Sequence, residues 1–170
     1  PDESIAMLER IAAVEMVTAL GRIPDARVYR NDKIPSAESG GISVYAARLN
    51  LLETVGGTVA SGTWLNEATA QYPVVVLGAK AAERLGIGRV HVGMQVWLGG
   101  QWFTVIGILE PIPLVPSLDL AALVGWQAGE RYLDTEGEIT TLYVRAAPGA
   151  VEGVRSILAR TANPAAPNEV

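Results

Sequence analysis

Apolar and polar positions alternate most cleanly between Val90 and Leu109, VHVGMQVWLGGQWFTVIGIL. Val92, Met94, Val96 and Leu98 are interleaved with Gly93, Gln95 and Trp97. Gly99-Gly100 follows, and a second run carries Phe103, Val105, Ile106 and Ile108. Alternation on both sides of a two-residue glycine turn predicts a β-hairpin. With the turn at Gly99-Gly100, Leu98 faces Gln101, Trp97 faces Trp102, Val96 faces Phe103 and Met94 faces Val105. Met94, Val96, Phe103 and Val105 then form a core face, and the two tryptophans pair on the other side.

Elsewhere the periods change. Ser4 to Leu20 reads as a helix: Ser4 caps it, Met7, Ile11, Val14 and Thr18 trace one face, Leu8 and Val17 widen it, and Gly21 stops it. Short strands are predicted at Arg27 to Arg30 and Ile42 to Ala46, separated by a polar loop from Asn31 to Gly41. Leu49 to Val55 is a short helix closed by Gly56-Gly57. Tyr72 to Leu77 is an apolar run of strand length, suited to burial on both faces. Gly78 to Leu85 is an alanine-rich helix ending at Gly86.

Pro111, Pro113 and Pro116 then break regular structure. Leu120 to Trp126 is another apolar run, and Ala128 to Leu133 a short helix. Thr140 to Arg145 alternates as a strand. Ala150 to Arg160 is an amphipathic helix with Val151, Val154, Ile157 and Leu158 on its inner face. An extended exit containing Pro164 and Pro167 ends the chain. The expected fold class is α+β: residues 1–56 and 112–170 share a sheet lobe with helices on one side, and residues 57–111 form an inserted β-rich lobe.

Composition narrows the function. Of 170 residues, 49% are hydrophobic and 18% charged, a globular profile. Net charge is −5, without a basic run, which argues against nucleic acid as a partner. The absence of cysteine excludes disulfides, thiolate metal sites and cysteine nucleophiles. No apolar run approaches the roughly 20 residues that span a bilayer. The acidic start, Pro1-Asp2-Glu3-Ser4, is unlike a signal peptide and is read as the start of a fragment from a longer chain.

Candidate chemistry is sparse. His91 is the single histidine and is read as an ordinary strand residue between Val90 and Val92. No G-x-S-x-G elbow accompanies it. The acidic residues, from Asp2, Glu3, Glu9 and Glu15 to Asp119, Glu130, Asp134, Glu136 and Glu138, are read as solvated surface. Gly86-Ile87-Gly88 follows a helix instead of opening one, so it suits a helix end better than a dinucleotide site. Gly40-Gly41 precedes a strand and suits a turn. No catalytic residue, metal or cofactor is expected. Trp97, Trp102 and Trp64 are the candidate contact surface, since tryptophan is enriched at interfaces. The preferred reading stacks Trp97 and Trp102 across the hairpin and plugs the core with Trp64 and Trp126, which leaves the hairpin pair as the best contact candidate.

Three segments together resemble the extracytoplasmic domain of ABC transporter permeases of the MacB/FtsX/LolC-LolE type. The first is Gly62-Thr63-Trp64-Leu65 with Pro73-Val74-Val75-Val76-Leu77-Gly78 and Ala81-Ala82-Glu83-Arg84-Leu85. The second is the hairpin from Val92 to Leu109. The third is Asp119 to Val124 followed by Thr141-Leu142-Tyr143-Val144-Arg145. The resemblance covers about residues 50 to 146 and implies a domain on the outer side of the cell membrane, within a multi-pass permease. It implies no catalysis in this domain, an ATP-binding subunit in the cytoplasm, a second permease copy, and coupling of ATP hydrolysis to export or mechanotransmission. Two alternatives are an extracytoplasmic binding module for a peptide or lipid, and a small hydrolase using His91.

Overall fold

A computed structural model describes residues 2–33, 41–135 and 137–162 of the chain. Among these residues the order is α1 (Asp2–Glu9), β1 (Val14–Arg22), β2 (Val28–Tyr29), β3 (Ser43–Ala47), α2 (Leu51–Thr54), β4 (Val59–Gly62) and β5 (Val74–Leu77). Then follow α3 (Ala79–Arg84), β6 (Gln95–Leu98), β7 (Gln101–Leu109), β8 (Ala121–Gly125), α4 (Trp126–Tyr132), β9 (Thr141–Ala146) and α5 (Val151–Ala162). Short 3-10 turns cover Thr69–Gln71 and Pro116–Leu120. The class is α+β.

All nine strands join one mixed sheet in the order β2-β6-β7-β5-β8-β3-β1-β9, with β4 pairing β7 off this path. Its centre is β8, parallel to β3 and antiparallel to β5. Every residue of β8 is buried, as a strand packed on both faces requires. Residues 57–111 supply β4 to β7, and two of these bond to strands outside that segment: β5 to β8 and β6 to β2.

The hairpin forms in the register that alternation predicts: Leu98 opposite Gln101, Trp97 opposite Trp102 and Val96 opposite Phe103. Val105 donates its N–H to the Met94 carbonyl at 2.8 Å, continuing the pairing past β6. Gly99 and Gly100 have φ of 56° and 87°, both in the left-handed region that a type I′ turn demands and glycine tolerates. Farther along β7 the alternation breaks at Val105-Ile106 for a structural reason. Val75 sits opposite Val105 but Val76 opposite Gly107, so β7 carries one extra residue as a bulge. Ile106 thereby turns to one face, and Ile108 returns to the face of Phe103 and Val105.

Two sequence expectations fail. The long first helix stops at Glu9, and residues 14–20, read as helical, belong to the strand β1. Val17 and Ala19 pack toward α1 while Leu20 packs toward α2, so both faces of β1 are buried. Burial on both faces erases the two-residue alternation, and the apolar residues then fit a 3.6 period by accident. Ladders to β3 on one side and β9 on the other decide the matter. His91, in turn, lies in an exposed turn ahead of β6 and not on a strand. In α5, Val154 is buried but Val151 and Ile157 are exposed, so the inner face is narrower than expected. The Ser4 side chain, most of the 31–41 loop, Gly40, Glu136 and the residues around Pro164 and Pro167 lie outside the described residues.

The core has two sides. Val44, Val75, Leu77, Val96, Leu98, Phe103 and Val124 face Ala81, Ala82 and Leu85 near or on α3, and Trp126 and Tyr132 of α4. Leu20, Val76, Leu109 and Leu123 face Leu51 and Val55 at α2, together with Ile112 and Leu118. At the β1/β9 end, Ile5 and Leu8 of α1 and Leu158 of α5 cover Val17, Ala19, Leu142 and Val144. Gly21 stands opposite Ala46, which puts Ala19 on the α4 side of the sheet.

Phe103 is fully buried and meets Tyr132 edge-on, with ring centroids 6.4 Å apart. Phe103→Ala is expected to cost about 3–5 kcal/mol, read as a shift in the urea midpoint at unchanged slope. Thr18 is fully buried and its Oγ1 has no hydrogen-bond partner among the described residues. Thr18→Val, of nearly equal shape, is expected to raise stability by about 1 kcal/mol in the same titration; a loss of that size would show that the hydroxyl is satisfied.

Candidate functional site

The outward face of the hairpin is set by β-strand alternation. Because Val96, Leu98 and Phe103 point into the core, Trp97 and Trp102 must point away from it. Their rings meet at 5.3 Å between centroids and 73° between planes, an edge-to-face contact. Trp102 remains 39% exposed, enough to offer a ring edge to a partner. Tyr29 of β2 stands opposite Trp97, and Arg30 donates from Nη1 to the Gln95 carbonyl at 3.3 Å, closing the sheet edge beside the pair.

Trp64 is not brought to this surface. It packs beside Ile106 and Val74 in the second core cluster and donates from Nε1 to the Leu49 carbonyl at 2.7 Å. Trp126 is half-buried between two clusters, with the Arg48 guanidinium 5.6 Å from its ring centre. Among the described residues no group of three or more His, Asp or Glu side chains is arranged to hold a metal ion. His91 is exposed, and its carbonyl accepts the Met94 N–H at 3.1 Å.

Two open clefts were not legible in the sequence. One, of about 730 Å³, lies between the Gly99-Gly100 turn, residues 22–27 and the end of α4; Arg22, Asp25, Arg27, Asp134 and Glu138 line it. The other, of about 830 Å³, lies between α1, the start of α2 and α4, with Arg48, Glu67, Trp126 and Glu130 among its walls. Their walls come from segments far apart in the chain, Arg22 to Glu138 in the first and Ile5 to Ile139 in the second, so no local pattern marks them. Asp119 was also misread: it is buried, not solvated. Glu9, Glu15, Glu130 and Glu138 are exposed or half-exposed, as a surface reading expects.

Among the described residues, Tyr143 on β9 has a phenol displaced from its ordinary range. Burial pushes its phenol above the usual tyrosine range; a hydrogen bond with Ser117 opposes this and the neighbouring Tyr45 adds to it.

A protein-family model described as the MacB-like periplasmic core domain matches residues 1–160. Among solved structures, the chain is similar to the extracellular domain of the ABC-type transporter YknZ from Gram-positive bacteria. That likeness has 18% identity and a TM-score of 0.69, over 96% of this chain and 82% of that one. It is similar to the periplasmic region of MacB from Actinobacillus actinomycetemcomitans, with 15% identity, a TM-score of 0.63, and 91% and 71% of the two chains covered. A domain of a permease protein from Porphyromonas gingivalis also matches, at 15% identity and a TM-score of 0.55, over 92% and 68% of the two chains. At these identities the likeness is one of fold. No curated protein matches the chain.

The raised Tyr143 pKa has a definite consequence at high pH. Below about pH 10 the phenol is neutral in both states and contributes no pH dependence. Above it the unfolded chain loses the proton first, so stability falls with rising pH until folded Tyr143 also ionises. Thermal melts should therefore show a shallower alkaline decline for Tyr143→Phe than for the parent; equal slopes would assign the decline elsewhere.

Proposed function

The chain belongs to the MacB-like periplasmic core domain family, and on that premise we propose that it is the extracytoplasmic domain of an ABC transporter permease which transmits movement and makes no covalent bond itself. Permeases of this family work with ATP-binding subunits. In this reading ATP hydrolysis in the cytoplasm shifts a two-state arrangement of paired permease copies, and this domain carries the shift to the outer side of the membrane. The transported substance is a matter for the whole transporter.

One observation supports the reading above others. The helices α1 and α5, from opposite ends of the chain, pack against each other and share one core cluster with β1 and β9. A displacement applied through either helix enters adjacent strands of one continuous sheet. A close-packed, hydrogen-bonded sheet passes such a displacement on instead of absorbing it. No helix among the described residues is long and apolar enough to cross a membrane. We assign the Trp97/Trp102 face as the surface that meets another protein, with residues 57–111 as the lobe that presents it.

The test uses the full-length permease with its ATP-binding subunit in lipid vesicles. Trp97→Ala/Trp102→Ala is expected to leave basal ATP hydrolysis near the parent value and to reduce ATP-driven transport or partner activation roughly tenfold. His91→Ala should change neither. Full transport by the double variant would remove the tryptophan assignment. Hydrolase turnover by the domain, lost in His91→Ala, would overturn the non-enzymatic reading. A tryptophan fluorescence shift with a peptide or lipid, without any ATPase dependence, would favour a capture module.

A further inference from the structure

Asp119 is the single acidic or basic side chain buried among the described residues. A carboxylate tolerates burial only where its oxygens are satisfied. Oδ1 accepts the backbone N–H of Ile112 at 2.9 Å, and Oδ2 lies 3.7 Å from Lys80 Nζ. These partners come from different segments: Ile112 from the connector that follows β7, Lys80 from the first turn of α3. Lys80 is 59% exposed, so its ion pair is the weaker of the two contacts. The shielded N–H bond to a charged oxygen is the stronger.

The same corner is closed by backbone. A Cβ on Gly78 would stand 2.1 Å from the Leu118 carbonyl oxygen and 2.5 Å from that of Asp119. The start of α3 and the 3-10 turn Pro116–Leu120 thus touch main chain to main chain. Gly78 also donates its N–H to the Ala121 carbonyl at 2.8 Å. Within the connector, Val115 bonds to the Ile112 carbonyl and Leu118 to that of Val115, while three prolines restrict φ. This stiff segment leaves β7 and enters β8, and α3 continues from β5. One carboxylate therefore ties the ends of β5 and β7 to the start of β8.

We propose that Asp119 is a positioning residue: a clamp that makes the 111–119 connector and α3 move as one body, so that displacement of the central sheet reaches the hairpin undiminished. The transmission role rests on the coupling function proposed above; the clamp itself does not.

Hydrogen–deuterium exchange on the full-length permease with its ATP-binding subunit in lipid vesicles separates the two. Asp119→Ala is expected to speed exchange at the Ile112 amide by about tenfold or more, whereas Asp119→Asn, which keeps an acceptor oxygen, restores most of the protection. ATP turnover should stay within about twofold of the parent while the ATP-dependent change in exchange across β6 and β7 falls at least about fivefold. Unchanged exchange at Ile112 in Asp119→Ala overturns the clamp. Faster exchange there with an undiminished ATP-dependent change in β6 and β7 overturns the transmission role. If the parent shows no ATP-dependent change, the coupling function fails together with that role, and the Ile112 amide still decides the clamp. Where Asp119→Ala does not accumulate, Asp119→Leu, which removes both oxygens at similar volume, gives the reading: a rise of about tenfold at the Ile112 amide supports the clamp, and no rise overturns it.

Discussion

The pairing of β8 with β3 on one side and β5 on the other holds the rest of the molecule in place. β8 is buried at all five positions, with Ala122 and Val124 facing one cluster and Ala121 and Leu123 the other. β8 joins β5 of the middle segment to β3 of the front, while the β2–β6 and β1–β9 ladders make the other pairings between distant parts of the chain. Without β8, β5 and β3 would lose the strand between them, and the short β2–β6 ladder would be the one pairing left between β1–β3 and β5–β7 among the described residues. On this sheet α2 packs against β1 and β9, α3 against β7, and α4 against β3 and β8.

This arrangement explains why the outward features stand where they do. The hairpin's inward residues are anchored by Phe103 against Tyr132, so its outward tryptophans are presented on a rigid strand pair. At the opposite limit of the sheet, α1 and α5 meet over β1 and β9. Between these extremes runs a continuous set of backbone hydrogen bonds. The one buried carboxylate among the described residues, Asp119, accepts from the connector between β7 and β8.

Much of the fold was legible because it rests on local periodicity. The Gly99-Gly100 turn, the cross-strand partners from Leu98/Gln101 to Val96/Phe103, and the strand β5 followed by α3 and its Gly86 stop all have short-range causes. β1 was misread because its neighbours β3 and β9 lie about 25 and 120 residues away, and their ladders override a pattern that local sequence leaves ambiguous. Of the three tryptophans on the proposed surface, alternation placed Trp97 and Trp102 together. Trp64 stands elsewhere, half-buried against the second core cluster with its Nε1 donating to the Leu49 carbonyl.

Sequence alone determined the α+β class, the hairpin and its register, and the family resemblance, because each depends on side-chain period, turn chemistry or ordered short motifs. Tertiary structure alone decided that residues 14–22 are a strand, that Asp119 is buried, and that two clefts exist. All three require groups distant along the chain to be adjacent in space. A carboxylate's environment is made by whatever folds over it, and no spacing rule in the neighbourhood of Asp119 announces Ile112 as a donor and Lys80 as a counter-charge.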